Sequence, residues 1–239
     1  MKLIFGLALL LALAFGTTFV ERDADAAPAR TAFQIQCEDG INKTVSILLT
    51  QQAGYSVDNH LSFQSLTTMK GAVRANSFVL GLTKTESQIA IGMDGAMVQD
   101  PSTGYECVAP KITVRLSYAP IVVYVGREFP PGSCAYEEIL SHELRHVRAY
   151  LEHLPRVETL VRAALAQRFD GQPMYARSGT SRVALKREID TGWLPYIKGE
   201  MGKVETQQAA IDTPAEYARL SRACNGEIQR QIKRARGER

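Results

Sequence analysis

Apolar and polar positions follow two different rhythms along this chain. Up to about residue 129 they come in short alternating runs bounded by turn residues, at 33–37, 45–50, 61–66, 78–82, 89–91 and 105–108, a spacing that predicts strands. The stretch 111–118 alternates apolar with polar, and 121–125 is a short run of the fully buried type, so two further strands are expected there. From residue 135 the rhythm becomes helical. Tyr136, Leu140, Leu144, Val147, Leu151 and Leu154 fall on one stripe, with Ser133 ahead of them as a cap and no Gly or Pro until Pro155. A second stripe comprises Leu185, Ile189, Trp193, Tyr196, Ile197, Met201 and Val204, although Gly192 and Pro195 within it are expected to bend the helix. Strands first and helices after predict an α+β fold, with an antiparallel or mixed sheet covering the helix at 135–154. Residues 27–239 are long enough for one domain, strand-rich over 31–129 and helical over 135–239.

The first of these helices carries His142-Glu143-Leu144-Arg145-His146. At 100° per residue the two histidines lie roughly opposite the apolar stripe, one turn apart, where both imidazoles can reach one metal ion. Glu143 then stands beside the first ligand, placed to take a proton from water activated by that ion. The chain has four histidines, and His142, His146 and His153 share one helix face. A solvated surface has no physical reason to gather them, which favours a metal over a polar face that happens to hold histidines.

With this pentapeptide on a helix preceded by strands, the chain resembles the zincin metallopeptidases over about residues 111–154, and in particular small secreted bacterial zinc proteases of unknown function. The resemblance implies Zn2+ as cofactor, His142 and His146 as ligands, Glu143 as general base, and an upstream antiparallel edge strand that holds a peptide or protein substrate.

A catalytic zinc site usually has three protein ligands and one open position. Glu152 stands where the metzincin subgroup has its third ligand, but Ala149 replaces the glycine that lets that subgroup's chain turn, and a continuing helix sends Glu152 into the polar sector. His153 lies about 10 Å beyond His146 along a helix, too far to join the same ion. The gluzincin pattern, a glutamate from a later helix, points to Glu200 near the centre of the second stripe, since an antiparallel return places residues 200–205 opposite the histidines. A carboxylate on a packing face also demands a partner. Glu188, Asp190 and Glu205 remain open as alternatives.

Lys2 followed by an apolar run over residues 3–15 reads as an export signal, with small residues for cleavage at Ala14-Phe15-Gly16 or Ala24-Asp25-Ala26, so residues 1–26 are assigned to it. The mature chain is then expected in the periplasm or secreted, with no integral membrane segment and a cell-envelope component among its conceivable partners. In an oxidising compartment the four cysteines are expected to form two disulfides. Three pairings can be drawn; Cys37 with Cys107 and Cys134 with Cys224 is the favoured one, tying the strand-rich half together and the start of the pentapeptide helix to the last helix.

Charge changes little: 28 basic against 25 acidic side chains leave a net +3, and the basic end at Arg230, Lys233, Arg234, Arg236 and Arg239 reads as a solvated helix terminus. No nucleic-acid recognition motif is present, and no nucleic-acid partner is expected. Asp212-Thr213-Pro214-Ala215-Glu216 reads as a capped helix start, with Asp212 or Thr213 as the cap. Tyr124, Tyr150, Tyr175 and Tyr196 are candidates to donate to a reacting carbonyl oxygen. A non-catalytic binding or structural protein on the same scaffold is the competing expectation.

Overall fold

The structure is a computed structural model that describes residues 29–41, 45–52, 54–71 and 77–237. The segment assigned to the export signal lies outside the described residues. The described residues from 32 to 237 belong to one compact unit.

The longest strand, β7 (Lys111–Tyr118), has the alternation its sequence predicts: Ile112, Val114, Leu116 and Tyr118 are buried, while Lys111 and Arg115 are exposed. After Pro120 the chain continues as β8 (Ile121–Val125). Its two neighbours break near the same level. On one side β1 (Ile47–Gln51) and β2 (Tyr55–Asp58) run parallel to β7 and β8, respectively. On the other side β3 (Gly81–Lys84) and β4 (Ser87–Asp94) run antiparallel to β8 and β7. Two mixed three-stranded sheets result, β1-β7-β4 and β2-β8-β3. A third, antiparallel sheet joins β5 (Met97–Asp100), β6 (Tyr105–Val108) and β9 (Met174–Arg177).

Against the inner face of the first two sheets lies α3 (Cys134–Phe169), a helix of 36 residues. Ser133 caps it through the Tyr136 amide, as its position before the apolar stripe predicts. The helix passes through Pro155. A proline there withholds the N–H that the Leu151 carbonyl would accept, and Gln52 Nε2, 3.4 Å away, donates to that carbonyl instead. Val147, Leu154, Val157, Val161, Leu165 and Phe169 then meet the buried side chains of β7 in a single core.

Two segments that read as strands are helical. Residues 33–37 lie in α1 (Ala32–Ile41) and most of 61–66 lies in α2 (Phe63–Lys70). In α2 the short apolar pattern is satisfied equally by Phe63 and Leu66 one turn apart, and Ser62 decides the matter by accepting from the Ser65 amide. The second half is mostly helical, apart from β9: α4 (Ser181–Glu188), α5 (Leu194–Gly202), α6 (Val204–Ile211), α7 (Pro214–Arg222) and α8 (Glu227–Ala235). The expected irregularity at Gly192 and Pro195 takes the form of a π turn over Ile189–Trp193 that carries α4 into α5. The fold is therefore a mixed α/β one whose strand-rich first half also holds two helices.

Disulfides join Cys37 to Cys107 (Cα–Cα 6.1 Å) and Cys134 to Cys224 (Cα–Cα 5.6 Å), the pairing favoured from the sequence. The second ties the start of α3 to the turn between α7 and α8. Both fit maturation in an oxidising compartment. Among the described residues no helix is long and apolar enough to cross a membrane.

Thr180, at the start of α4, makes no side-chain cap bond. Buried Glu106 on β6 takes that role from a distance, accepting from the Gly179 amide at 2.6 Å and the Ser181 amide at 2.8 Å. With the Ser181 hydroxyl as the first contributor, these bonds hold its carboxyl down at about 2 against an ordinary 4.5. A depressed folded-state value gives stability that is present above pH 4.5 and lost as the pH falls toward 2. Glu106→Gln is expected to be less stable than the parent at neutral pH and to lose less stability between pH 5 and 2, as read from urea unfolding at a series of pH values.

Candidate metal centre and cleft

Both histidines of the pentapeptide are buried, His142 at 5% exposure and His146 at 8%, on the flank of α3 away from the sheet core. Buried imidazoles need partners for both ring nitrogens. The returning chain supplies them at residues 208, 212 and 216, each four residues apart.

Gln208 on α6 fixes the first ring. Its Nε2 donates to the His146 carbonyl at 3.2 Å, which turns its Oε1 toward His146 Nδ1 in a very short contact. The His146 proton therefore sits on Nδ1, and Nε2 is left with a lone pair. That lone pair faces Asp212 Oδ1 at 3.2 Å and His142 Nε2 at 3.3 Å. His142 Nε2 is also 3.2 Å from Asp212 Oδ1. When His142 also carries its proton on Nδ1, three electron-rich atoms converge on one point, an arrangement that is repulsive unless a positive charge lies among them.

On the other side of His142, Nδ1 lies 3.3 Å from Glu216 Oε1 and 2.7 Å from an Arg145 guanidinium nitrogen. Its tautomer follows from what Nε2 faces. Toward a cation, Nδ1 carries the proton and Glu216 accepts it; with Nε2 donating to Asp212, Nδ1 accepts from Arg145. Glu216 is held in turn by Arg145 and by Arg219 at 2.9 and 3.0 Å, while Arg219 also reaches Glu138 at 2.6 Å. Led by the Arg219 bond, these contacts lower the Glu216 carboxyl to about 2.

The electrostatics express the same demand for positive charge. Burial pushes the Asp212 carboxyl up, yet the adjacent His142 and His146 imidazoles outweigh it and hold the group well below the ordinary carboxylate range. Burial alone would lower His146, but its contacts with Asp212 and Gln208 raise it. Two imidazole nitrogens and one carboxylate oxygen, with both Nδ1 atoms within reach of acceptors, suit a divalent transition metal such as zinc.

Glu143 lines the same cleft as the histidines, under β3. Thr83 Oγ1 donates to its Oε2 at 2.9 Å and lies 3.1 Å from its carbonyl oxygen. Burial raises its carboxyl above the ordinary value, opposed by the nearby histidines. Gly81 makes this closeness feasible, because a Cβ there would lie 2.7 Å from Glu143 Oε1 and 2.7 Å from Ile139 Cγ2.

The remaining residues singled out from the sequence lie elsewhere. Glu200 does not reach the histidines: both its oxygens are 2.6 Å from Lys203 Nζ, and only its backbone carbonyl faces α3, accepting from His153 Nε2 at 2.9 Å. The chain does return antiparallel beside α3, but in a register that sets Glu200 against His153 and Gln208 against His146. Glu188 is held by Arg168, Asp190 pairs with Lys186, and Glu152 is exposed. Glu205 lines the cleft beside the histidines, together with Tyr150. Tyr175 and Tyr196 are engaged with Phe33 and Trp193. Tyr217 was not among the tyrosines expected from sequence, yet it stands over His142 with ring centroids 6.3 Å apart, and its hydroxyl helps to lower the Asp212 carboxyl.

His142, Glu143, His146, Gln208, Asp212 and Tyr217 open on a cleft of about 580 Å³. One wall is β3, an edge strand. The bond from the Gly126 amide to the Leu80 carbonyl, at 2.8 Å, marks the residues that pair inward with β8. By the antiparallel alternation, Gly81 and Thr83 turn their backbone N–H and C=O groups to the open edge. Comparison with protein-family models, with characterised proteins and with solved structures gives no match. The class of the protein therefore rests on this geometry.

Gly81→Ala is expected to cost about 1–3 kcal/mol in urea unfolding, because Glu143 and Ile139 must shift to admit the methyl group. Gly92→Ala, where the nearest atom is 3.8 Å from the added carbon, is the tolerant control.

Proposed function

We propose that the chain is an exported zinc metallopeptidase, acting in the periplasm or after secretion, with His142, His146 and Asp212 as the ligands. The convergence of two Nε2 atoms and one carboxylate oxygen within 3.3 Å carries this reading. Zinc, when bound, supplies a Lewis acid that activates water near neutral pH and polarises a carbonyl oxygen.

The chain's own groups do the rest. Glu143, one residue after His142 and anchored by Thr83, accepts a proton as the water oxygen attacks the peptide carbonyl carbon. It returns that proton to the amine nitrogen when the C–N bond breaks. Its raised proton affinity suits a group that must both take and give a proton. Tyr217 is placed to donate its hydroxyl to the carbonyl oxygen as charge develops there. The open edge of β3 offers backbone partners to an extended peptide, which supports a peptide as substrate over a small molecule.

The test is metal content and hydrolysis of an unfolded protein, measured on the same samples. His142→Ala and Asp212→Ala are expected to weaken zinc binding by at least about 100-fold, and Gln208→Ala or Glu216→Gln by about 10- to 100-fold. Glu200→Gln should leave it unchanged. Glu143→Gln should retain zinc and lose hydrolysis. A parent protein that takes up no zinc, or hydrolysis that survives Glu143→Gln, overturns the mechanism. Zinc uptake with no hydrolysis assigns a binding role to the same scaffold.

A further inference from the structure

Three carboxylates line the cleft: Glu143, Asp212 and Glu205. Asp212 faces the histidines, and Glu143 accepts from Thr83. Glu205 is exposed and, among the described residues, has neither a hydrogen bond nor an ion pair. The lysine nearest to it in sequence, Lys203, already holds both carboxylate oxygens of Glu200. Glu205 falls in the first turn of α6, where a carboxylate ordinarily serves the positive end of a helix. That role is small here, because Lys203 between α5 and α6 is itself helical (φ −61°, ψ −17°) and one helix runs on into the next.

The register of the two helices places Glu205 beside the metal centre. Gln208 Nε2 donates to the His146 carbonyl, and the chain around it runs antiparallel to α3. Glu205, three residues before Gln208, therefore lies toward Tyr150, four residues after His146 and about 6 Å further along the helix. Electrostatics agree with this placement. Burial first, and the Glu205 charge after it, push the Tyr150 hydroxyl up to about 12; burial, Tyr150 and Glu205 together raise Tyr118. Tyr118 is buried behind Tyr150, with ring centroids 4.9 Å apart and its hydroxyl donating to the Met201 carbonyl at 2.7 Å. Tyr150 is thus backed by a fixed ring and lines the cleft next to a carboxylate that no cation among the described residues neutralises. A negative charge beside an aromatic face is a site for a cation.

We propose that the cleft selects peptides with a lysine or arginine side chain beside the cleaved bond, its cation held between Glu205 and the Tyr150 ring. The inference rests on the metallopeptidase reading for the cut, though not for the binding. Both side chains are long and flexible enough to lay their charge one helical turn from a carbonyl at the metal. An acidic side chain in the same place is opposed by Glu205.

Peptides of one core sequence, acetylated and amidated, carry lysine, arginine, norleucine or glutamate at single positions on either side of the cleaved bond. Blocking both ends leaves the varied side chain as the one charge that changes. Cleavage by the zinc-loaded parent is followed by chromatography, and binding to Glu143→Gln by calorimetry. The lysine and arginine peptides are expected to exceed norleucine by about tenfold in both readouts at low salt, with glutamate weakest, and the advantage to shrink at about 0.5 M salt. Glu205→Gln should bring the ratio of lysine to norleucine to about one, and Glu205→Lys should reverse the order of lysine and glutamate. Glu152→Gln, an exposed position of α3 outside the cleft lining, should keep the ratio. Cleavage and binding that are indifferent to the varied side chain, or a lysine preference that survives Glu205→Gln, overturn this inference and leave the peptidase reading standing. Lysine-dependent binding that is lost in Glu205→Gln, with no peptide cleaved by the parent, keeps the inference and overturns the peptidase reading.

Discussion

Two buried imidazoles on one helix turn impose the constraint around which the rest of the site is arranged. Each ring has two polar nitrogens, and neither can be left without a partner away from water. On α3 the rings face away from the sheet, so the partners must come from the chain that returns across that face. Gln208, Asp212 and Glu216 meet the demand at four-residue intervals. Two serve the Nδ1 side of the rings, and Asp212 faces both Nε2 atoms. The sheet gives α3 its fixed position, and the Cys134–Cys224 disulfide holds the returning arm near the helix start. Without either, the distances in the cluster would be set by a flexible segment.

The part of this arrangement written into local sequence was legible. His142, Glu143 and His146 are close in sequence, and helical geometry alone fixes their relative placement. The third oxygen was not legible, for two reasons. The return register depends on how far α3 continues and on what the chain does between residues 170 and 194. Passage through Pro155, a strand at β9 and a π turn together set Gln208, and not the neighbourhood of Glu200, opposite His146. The second reason is local. Asp212 and Thr213 are both good helix caps, and a cap signal absorbs a polar residue into a structural explanation. Thr213 accepts from the Glu216 amide at 3.1 Å and is the cap, which releases Asp212 to face the histidines. The spacing of Gln208, Asp212 and Glu216 was the available signal, masked by the break that Pro214 introduces between α6 and α7.

The strand-rich half shows the same division. Where one side of a strand is buried over eight residues, as in β7, alternation identifies it correctly. Short runs such as 33–37 and 61–66 fit either period, and a single serine or a long-range disulfide settles which one forms.

The donors that meet at the histidines lie about 70 residues apart in the chain, and the order in which they are synthesised has a consequence. Residues 142 to 146 leave the ribosome long before residue 212. Any chain interrupted in that interval carries the imidazoles but not the carboxylate that faces them, nor Tyr217 beside it. The cluster is complete only in a molecule whose final helices have been made and folded back, so a premature stop leaves the histidines without their carboxylate partner.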